Sequence, residues 1–279
     1  MLKTRIITAA ILLALLLPAL FASSPWPFAA LTLLMIGAAG WEWARLCGVG
    51  GAGAWLLGAV VAAACGATFM LLGTAPAPAW CWWLAGAIWV LGGTYALRCG
   101  PAAWPKLALA PRLVLGVLVL WAAWAAMNQA RSHGLNYLLS IFCLVWVADV
   151  AAYFGGRTLG RNKLAPAISP GKSWEGVWSG MAGVLLLAYV WTHWIDKRLP
   201  VDSPSLFGRL LWNQHGAVVA LELLFLAAMS VVGDLFESLI KRAVGAKDSS
   251  GLLPGHGGVL DRVDALLPVL PLALALSSL

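Results

Sequence analysis

Residues 233–268, GDLFESLIKRAVGAKDSSGLLPGHGGVLDRVDALLP, gather five acids, four bases and a histidine between apolar shoulders. The acids are Asp234, Glu237, Asp248, Asp261 and Asp264; the bases are Lys241, Arg242, Lys247 and Arg262; the histidine is His256. Carboxylates supply the oxygen ligands that hard divalent cations take, and lysine and arginine hold the phosphates such cations bridge. The run Pro254-Gly255-His256-Gly257-Gly258 removes side-chain bulk, so backbone N–H groups there could approach an anion closely. The chemistry expected is that of phosphate and metal.

The rest of the chain must position these residues, and it is apolar. Hydrophobic residues make up 62% and charged residues 10%, with a mean hydropathy of +0.87. Soluble domains carry roughly 25% charged residues, so the expectation is an all-α, polytopic integral membrane protein. Apolar runs long enough to cross a bilayer recur along the whole length. The net charge of +7 lies largely in short loops, where it sets orientation and attracts anionic headgroups; it does not point to nucleic acid. Cys47, Cys65, Cys81, Cys99 and Cys143 show no CxxC spacing and read as small apolar residues, not as a disulfide framework or zinc site.

About nine spans are expected. The first occupies the basic-then-apolar N-terminus, a pattern shared with signal peptides but read here as a retained span, since another span follows almost at once. The others cover about 28–46, 54–72, 80–97, 113–127, a sixth ending in Val147-Ala148-Asp149-Val150, then 177–194, 217–235 and a short one from 265 onward. Span two ends in Trp41-Glu42-Trp43-Ala44-Arg45, where a functional role for Glu42 is weighed against a snorkelling partner for Arg45 and the second is preferred. With Lys3 and Arg5 inside, the loops after spans two, four, six and eight face the cytoplasm and carry Arg45, Arg98 and Lys106, Arg157 to Lys172, and Lys241 to Arg262. The organisation expected is an N-terminal scaffold over 1–130 and a catalytic region over 131–279, with cytoplasmic loops at 155–176 and 236–264. Asp149, near the end of an apolar helix, and Glu222, inside span eight, are costly there unless they serve a purpose.

Ser238, Lys241-Arg242, Lys247-Asp248, Pro254, His256-Gly257-Gly258, Asp261-Arg262 and Asp264 resemble, in order and spacing, the signature of the phosphatidate cytidylyltransferases (CDP-diacylglycerol synthases). A second block, Asp149, Tyr153, Gly156, Arg157, Gly160 and Ile168-Ser169-Pro170-Gly171-Lys172-Ser173-Trp174-Glu175-Gly176, resembles the same family. Gly171-Lys172-Ser173 is not a P-loop, because Pro166 stands where the first glycine is required.

The resemblance implies transfer of a cytidylyl group from CTP to phosphatidic acid at the cytoplasmic leaflet of a bacterial inner membrane. It implies Mg²⁺, with room for a second cation, and is compatible with a homodimer. Asp234 and Asp261 are the leading metal ligands expected, with Asp264 third. Lys241, Arg242, Lys247 and Arg262 are the expected phosphate contacts, Asp248 and His256 their partners in catalysis. Asp149, Lys172, Ser238, Gly257 and Gly258 are expected to bind substrate. Glu237 and Asp248 suit either a metal or the orientation of nearby bases. A transporter is the competing reading, since intramembrane acids also build ion paths, but the charge gathers at one face and the halves show no repeat. A CDP-alcohol phosphotransferase would carry DGxxAR, which is absent.

Overall fold

The computed structural model describes residues 2–73 and 75–279, with side chains from Thr4 onward, so the Lys3 side chain of the orientation argument lies outside the described residues. Thirteen α-helical segments follow one another. They are α1 (Leu2–Phe21), α2 (Trp26–Leu46), α3 (Gly51–Leu72), α4 (Ala79–Ala87), α5 (Thr94–Cys99), α6 (Leu109–His133), α7 (Leu135–Leu159), α8 (Trp174–Val190), α9 (Asp196–Arg198), α10 (Leu206–Asn213), α11 (Gly216–Ala243), α12 (Leu260–Val263) and α13 (Leu266–Leu276). A π-helical turn, Ile88–Gly93, joins α4 to α5, and another, Trp191–Ile195, joins α8 to α9.

Helices stand at all nine expected places, and five of them, α1, α3, α6, α7 and α11, are long and apolar enough to cross a membrane as unbroken segments. The expected count of nine therefore narrows to five such helices. The π-turn divides the fourth expected span, α8 is 17 residues long and α13 only 11. Large side chains on α1 and α3 point outward, Leu71 at 83% exposure and Ile6 at 59%, which suits lipid-facing helices and would be untenable in water. Two further expectations are corrected. The stretch expected as a loop from 236 continues α11 to Ala243, because its apolar face (Phe236, Leu239, Ile240) stays buried. The basic loop after α7 is a small hairpin, β1 (Lys163–Ala165) antiparallel to β2 (Ser169–Ser173).

The short last helix is the centre of the molecule. Every residue of α13 from Leu267 to Leu276 is buried, and it packs on α4, α6, α7 and α11. Its Pro271 lies within the helix, and a turn at Asp264-Ala265 separates it from α12. Such a break is tolerated at membrane depth only where it lies within protein or lines a wet cavity. Because α13 touches α4 and α6, and α2 touches α12, the expected scaffold and catalytic regions interlock.

Candidate active site

Helices α7 and α8 are closely packed, since a Cβ on Gly176 would lie 2.8 Å from the Ala152 carbonyl. Ser173 caps α8, its Oγ accepting from the Gly176 N–H at 3.2 Å, and this fixes β2 against the helix start. Glu175 holds the hairpin base by accepting from the Asn162 side chain at 2.7 Å. Helix α11 approaches α13 equally closely, where a Cβ on Gly233 would meet the Asp264 carbonyl and, at 2.9 Å, Pro268. That contact brings Asp234 on α11 beside Asp264 at the helix break.

The two sequence blocks meet in one cavity of about 650 Å³. Asp149, Arg157 and Lys172 line it from one block, and Asp234, Asp261, Arg262 and Asp264 from the other. Lys172 Nζ sits 2.5 Å from Asp234 Oδ2 and ties the blocks together directly. Ser238 Oγ donates to Asp234 Oδ1 at 3.3 Å, so this serine orients the carboxylate. Arg157 is steadied by Tyr153, whose hydroxyl accepts from it at 3.0 Å. Asp264 accepts at Oδ1 from the Ala265 N–H at 2.8 Å. Burial, then the neighbouring Asp234 charge, holds its carboxyl well above the usual carboxylate range.

Asp261 differs from Asp234 in being bonded mainly to its own loop. Its Oδ1 accepts from Lys241 Nζ at 2.6 Å, while Oδ2 accepts from the Ser249 N–H and Oγ, both at 2.9 Å, and from the Gly258 N–H at 2.8 Å. Burial pushes this carboxyl up, but those bonds together outweigh it and hold the group down at about 2. Asp261 thus braces the glycine-rich loop from the wall of the cavity it shares with Asp234 and Asp264. Lys241, expected on phosphate, is buried between Asp261 and Glu237, with which it forms ion pairs. The Gly258 N–H, expected to meet a bound anion, meets the protein's own Asp261. Arg242 is turned away as well, donating to the carbonyls of Ile168 and Ala246, each at 3.2 Å.

Lys247, Asp248, His256, Gly257 and Arg262 line a second, polar cavity of about 580 Å³, joined there by Arg5 of α1. Thr8 of α1 donates to the Pro254 carbonyl at 2.9 Å, so α1 rests on the loop. His256 Nδ1 is buried without a hydrogen-bond partner among the described residues. Arg262 borders both cavities and connects them. Glu222 lies on α11 twelve residues before Asp234, about 18 Å along the helix, and lines neither cavity.

The residue that sequence reasoning placed wrongly is Glu42. It is fully buried and bonded to the loop, while Arg45 stacks over the Trp41 ring at 4.7 Å. An acid embedded in Trp41-Glu42-Trp43 was the available signal, since a charge flanked by two indoles has little water to reach.

Among the described residues, no three carboxylate, histidine or cysteine groups converge tightly enough to enclose a metal unaided. The donors present still fit one. Mg²⁺ commonly takes one or two carboxylates and completes its shell with water and substrate phosphates. Asp234, Asp264 and Asp149 meet at the same cavity, where a cation would offset the charge they carry when ionised.

Fold and site together define a helical membrane protein whose charged cavity suits phosphates and a hard cation. The chain belongs to the cytidylyltransferase family, whose family model matches residues 3–279. It is thereby a nucleotidyltransferase. It is 36% identical over 286 aligned residues to a phosphatidate cytidylyltransferase of Pseudomonas aeruginosa, covering 99% of this chain and 97% of that one. The phosphatidate cytidylyltransferase of Haemophilus influenzae is 48% identical over 139 residues, 50% of this chain and 44% of that protein. That of Staphylococcus epidermidis is 39% identical over 144 residues, 52% and 50% of the two chains.

Proposed function

We propose that the protein transfers a cytidylyl group from CTP to phosphatidic acid, forming CDP-diacylglycerol and pyrophosphate. The observation that carries this reading is the Lys172–Asp234 pair, which joins two distant charged blocks at one cavity in an otherwise apolar chain. Likeness to the Pseudomonas protein along nearly the whole chain supplies the choice of nucleotide and lipid.

The lipid phosphate is already an anion near neutral pH, so attack on the α-phosphorus of CTP needs no strong base. The difficulty is to bring two polyanions together and to steady charge on the departing pyrophosphate. Lys172, Arg157 and Arg262 neutralise phosphate oxygens at the cavity. Lys247, His256 and Arg5 extend that positive lining into the second cavity, where a long triphosphate can lie. Asp234 and Asp264, with Asp149 beside them, are the groups that would hold Mg²⁺. When bound, the ion offsets phosphate charge and favours departure of pyrophosphate. Lys172 and Asp234 hold each other in this structure, and on exchange the lysine would serve a substrate phosphate and the acid would be among the groups that hold the ion. The basic loops support a site at the cytoplasmic face of a bacterial inner membrane, the side on which nucleotide triphosphates are found.

The test is conversion of phosphatidic acid by purified protein in detergent, with CTP or each other nucleotide, with Mg²⁺ or a chelator. CDP-diacylglycerol formed with CTP alone, and abolished by the chelator, is expected. Folded protein that turns over no nucleotide overturns the reading.

A further inference from the structure

The glycine-rich loop lines the second cavity and leads into α12, yet it has little regular structure of its own to hold it. Between Ala243 and Leu260 the backbone forms no helix, and its one bridge pairs Leu253 with Gly257. Something outside the loop must set its shape.

We infer that Glu42, on α2 in the half of the chain that reads as scaffold, is the positioning residue that sets this loop for catalysis. Its Oε1 accepts from Ser250 Oγ at 2.5 Å and from the Val259 N–H at 2.9 Å. Its Oε2 accepts from the Leu260 N–H at 2.7 Å, and Ser249 Oγ lies 3.2 Å away. One carboxylate thereby closes both ends of the loop, Ser249-Ser250 at its start and Val259-Leu260 where α12 begins. Val259 and Leu260 carry N–H groups that a helix start leaves without partners, and Glu42 supplies the acceptors from another helix. Gly258 leaves the space, since a Cβ there would collide with the Glu42 carboxylate and Ser249. The loop cannot close in this way around any larger residue.

Glu42 itself stands on a fixed frame. Its neighbour Trp43 is buried, donates from Nε1 to the Arg112 carbonyl of α6 at 2.9 Å, and packs against Phe236 of α11. The position of Glu42 is thus referenced to the helix that bears Asp234. Ser249 Oγ stands between Glu42 and Asp261 and shares its one proton, closer to Asp261 at 2.9 Å, and Asp261 accepts in turn from Lys241. Asp264 follows one turn later. The bracket sets the register of Asp264 against Asp234 and presents Arg262 to both cavities, although Glu42 lines neither.

Each Glu42 oxygen faces one backbone N–H, and a backbone N–H cannot be turned into an acceptor. A glutamine would therefore set its NH₂ against one N–H in either flip, though its shape is the same. This separates positioning from packing.

The inference rests on the proposed cytidylyl transfer for its catalytic readout, so the experiment includes one that needs no turnover. Wild type and Glu42→Gln are compared by amide hydrogen exchange over 249–261, by melting, and by kcat and KM with CTP and phosphatidic acid. Exchange in that segment is expected to rise about tenfold. The expected fall in kcat is about 10- to 100-fold with KM for the lipid within about twofold, since a small misplacement of reacting groups is costly. Unchanged exchange, or activity lost only in proportion to folded protein, overturns the proposal. If Glu42→Gln does not fold, Ser249→Ala/Ser250→Ala removes two of the four donors. Faster exchange and lower kcat in that protein support the bracket, and wild-type values in both overturn it. Absent wild-type turnover would count against the cytidylyl-transfer reading alone, because exchange still reports on the bracket.

Discussion

Two clusters of acids and bases lie side by side in this molecule, built from the same residue types and put to opposite uses. In the first, Asp149, Asp234, Asp264, Lys172 and Arg157 face a cavity, and the Lys172–Asp234 side chains keep 26% and 30% of their exposure. In the second, Glu42, Glu237, Lys241 and Asp261 are nearly dry, with side-chain exposures of 2% for Glu237 and 5% for Asp261. The open cluster retains lone pairs for a ligand, whereas the closed one spends its own on Ser249, Ser250, Gly258, Val259 and Leu260. Charge in a membrane protein is costly in either place. In the closed cluster the loop donors and Lys241 answer Glu42 and Asp261, which gives up binding, while Glu237 has Lys241 beside it and no hydrogen-bond donor among the described residues. The open cluster stays within reach of water and keeps lone pairs for a ligand.

The contrast can be broken in four ways. The largest effect is expected from the open cluster: Asp234→Asn or Asp264→Asn should lower kcat by about 10²- to 10³-fold with little change in melting. The assay is CTP-dependent turnover alongside a melting curve, and a variant that melts early while keeping its kcat would reverse the assignment. Next comes Lys241→Ala, which removes the cation paired with Asp261 and leaves that buried carboxylate unneutralised. It should destabilise the protein by about 3–5 kcal/mol, read from unfolding in detergent. A melting curve matching wild type would mean that the closed cluster is not what holds the loop.

Acid titration sharpens the comparison further. Asp261 in the folded protein is held at about 2, below the roughly 3.9 of a free aspartate. Its contribution to stability is therefore complete above pH of about 4 and is lost as pH falls toward about 2. Exchange of the Ser249 and Gly258 amides should accelerate through that window in wild type and show no such step in Asp261→Asn. The smallest effect belongs to Glu222→Gln, about 18 Å from Asp234 along α11 and outside both cavities. Its kcat should stay within about threefold of wild type, and a large loss would place a functional acid where the structure shows none.

Much of the site was legible because its chemistry is local. Lys247, Asp248 and His256 stand near one another in the chain and share one cavity. The pairing of the two blocks was foreseen as a common function, and Lys172 against Asp234 gives it a contact. Spacing could not separate Asp234 from Asp261. Both are aspartates beside bases, and only the fold reveals that one has four donors on it and the other has room. Glu42 was misread for the same reason: its partners lie more than 200 positions away.

Composition alone determined that this chain is helical and belongs in a membrane, because lipid leaves the backbone of an apolar chain few other ways to satisfy its hydrogen bonds. Residue types and order likewise pointed to phosphate and cation as the chemistry of its acids and bases. The tertiary structure decided which carboxylates stay free and which are consumed as braces. It also decided that an 11-residue helix with an internal proline would be the buried centre. Those outcomes depend on which donors reach each oxygen and on how closely α11 and α13 approach at Gly233. Distances across the fold set both, and no count along the chain contains them.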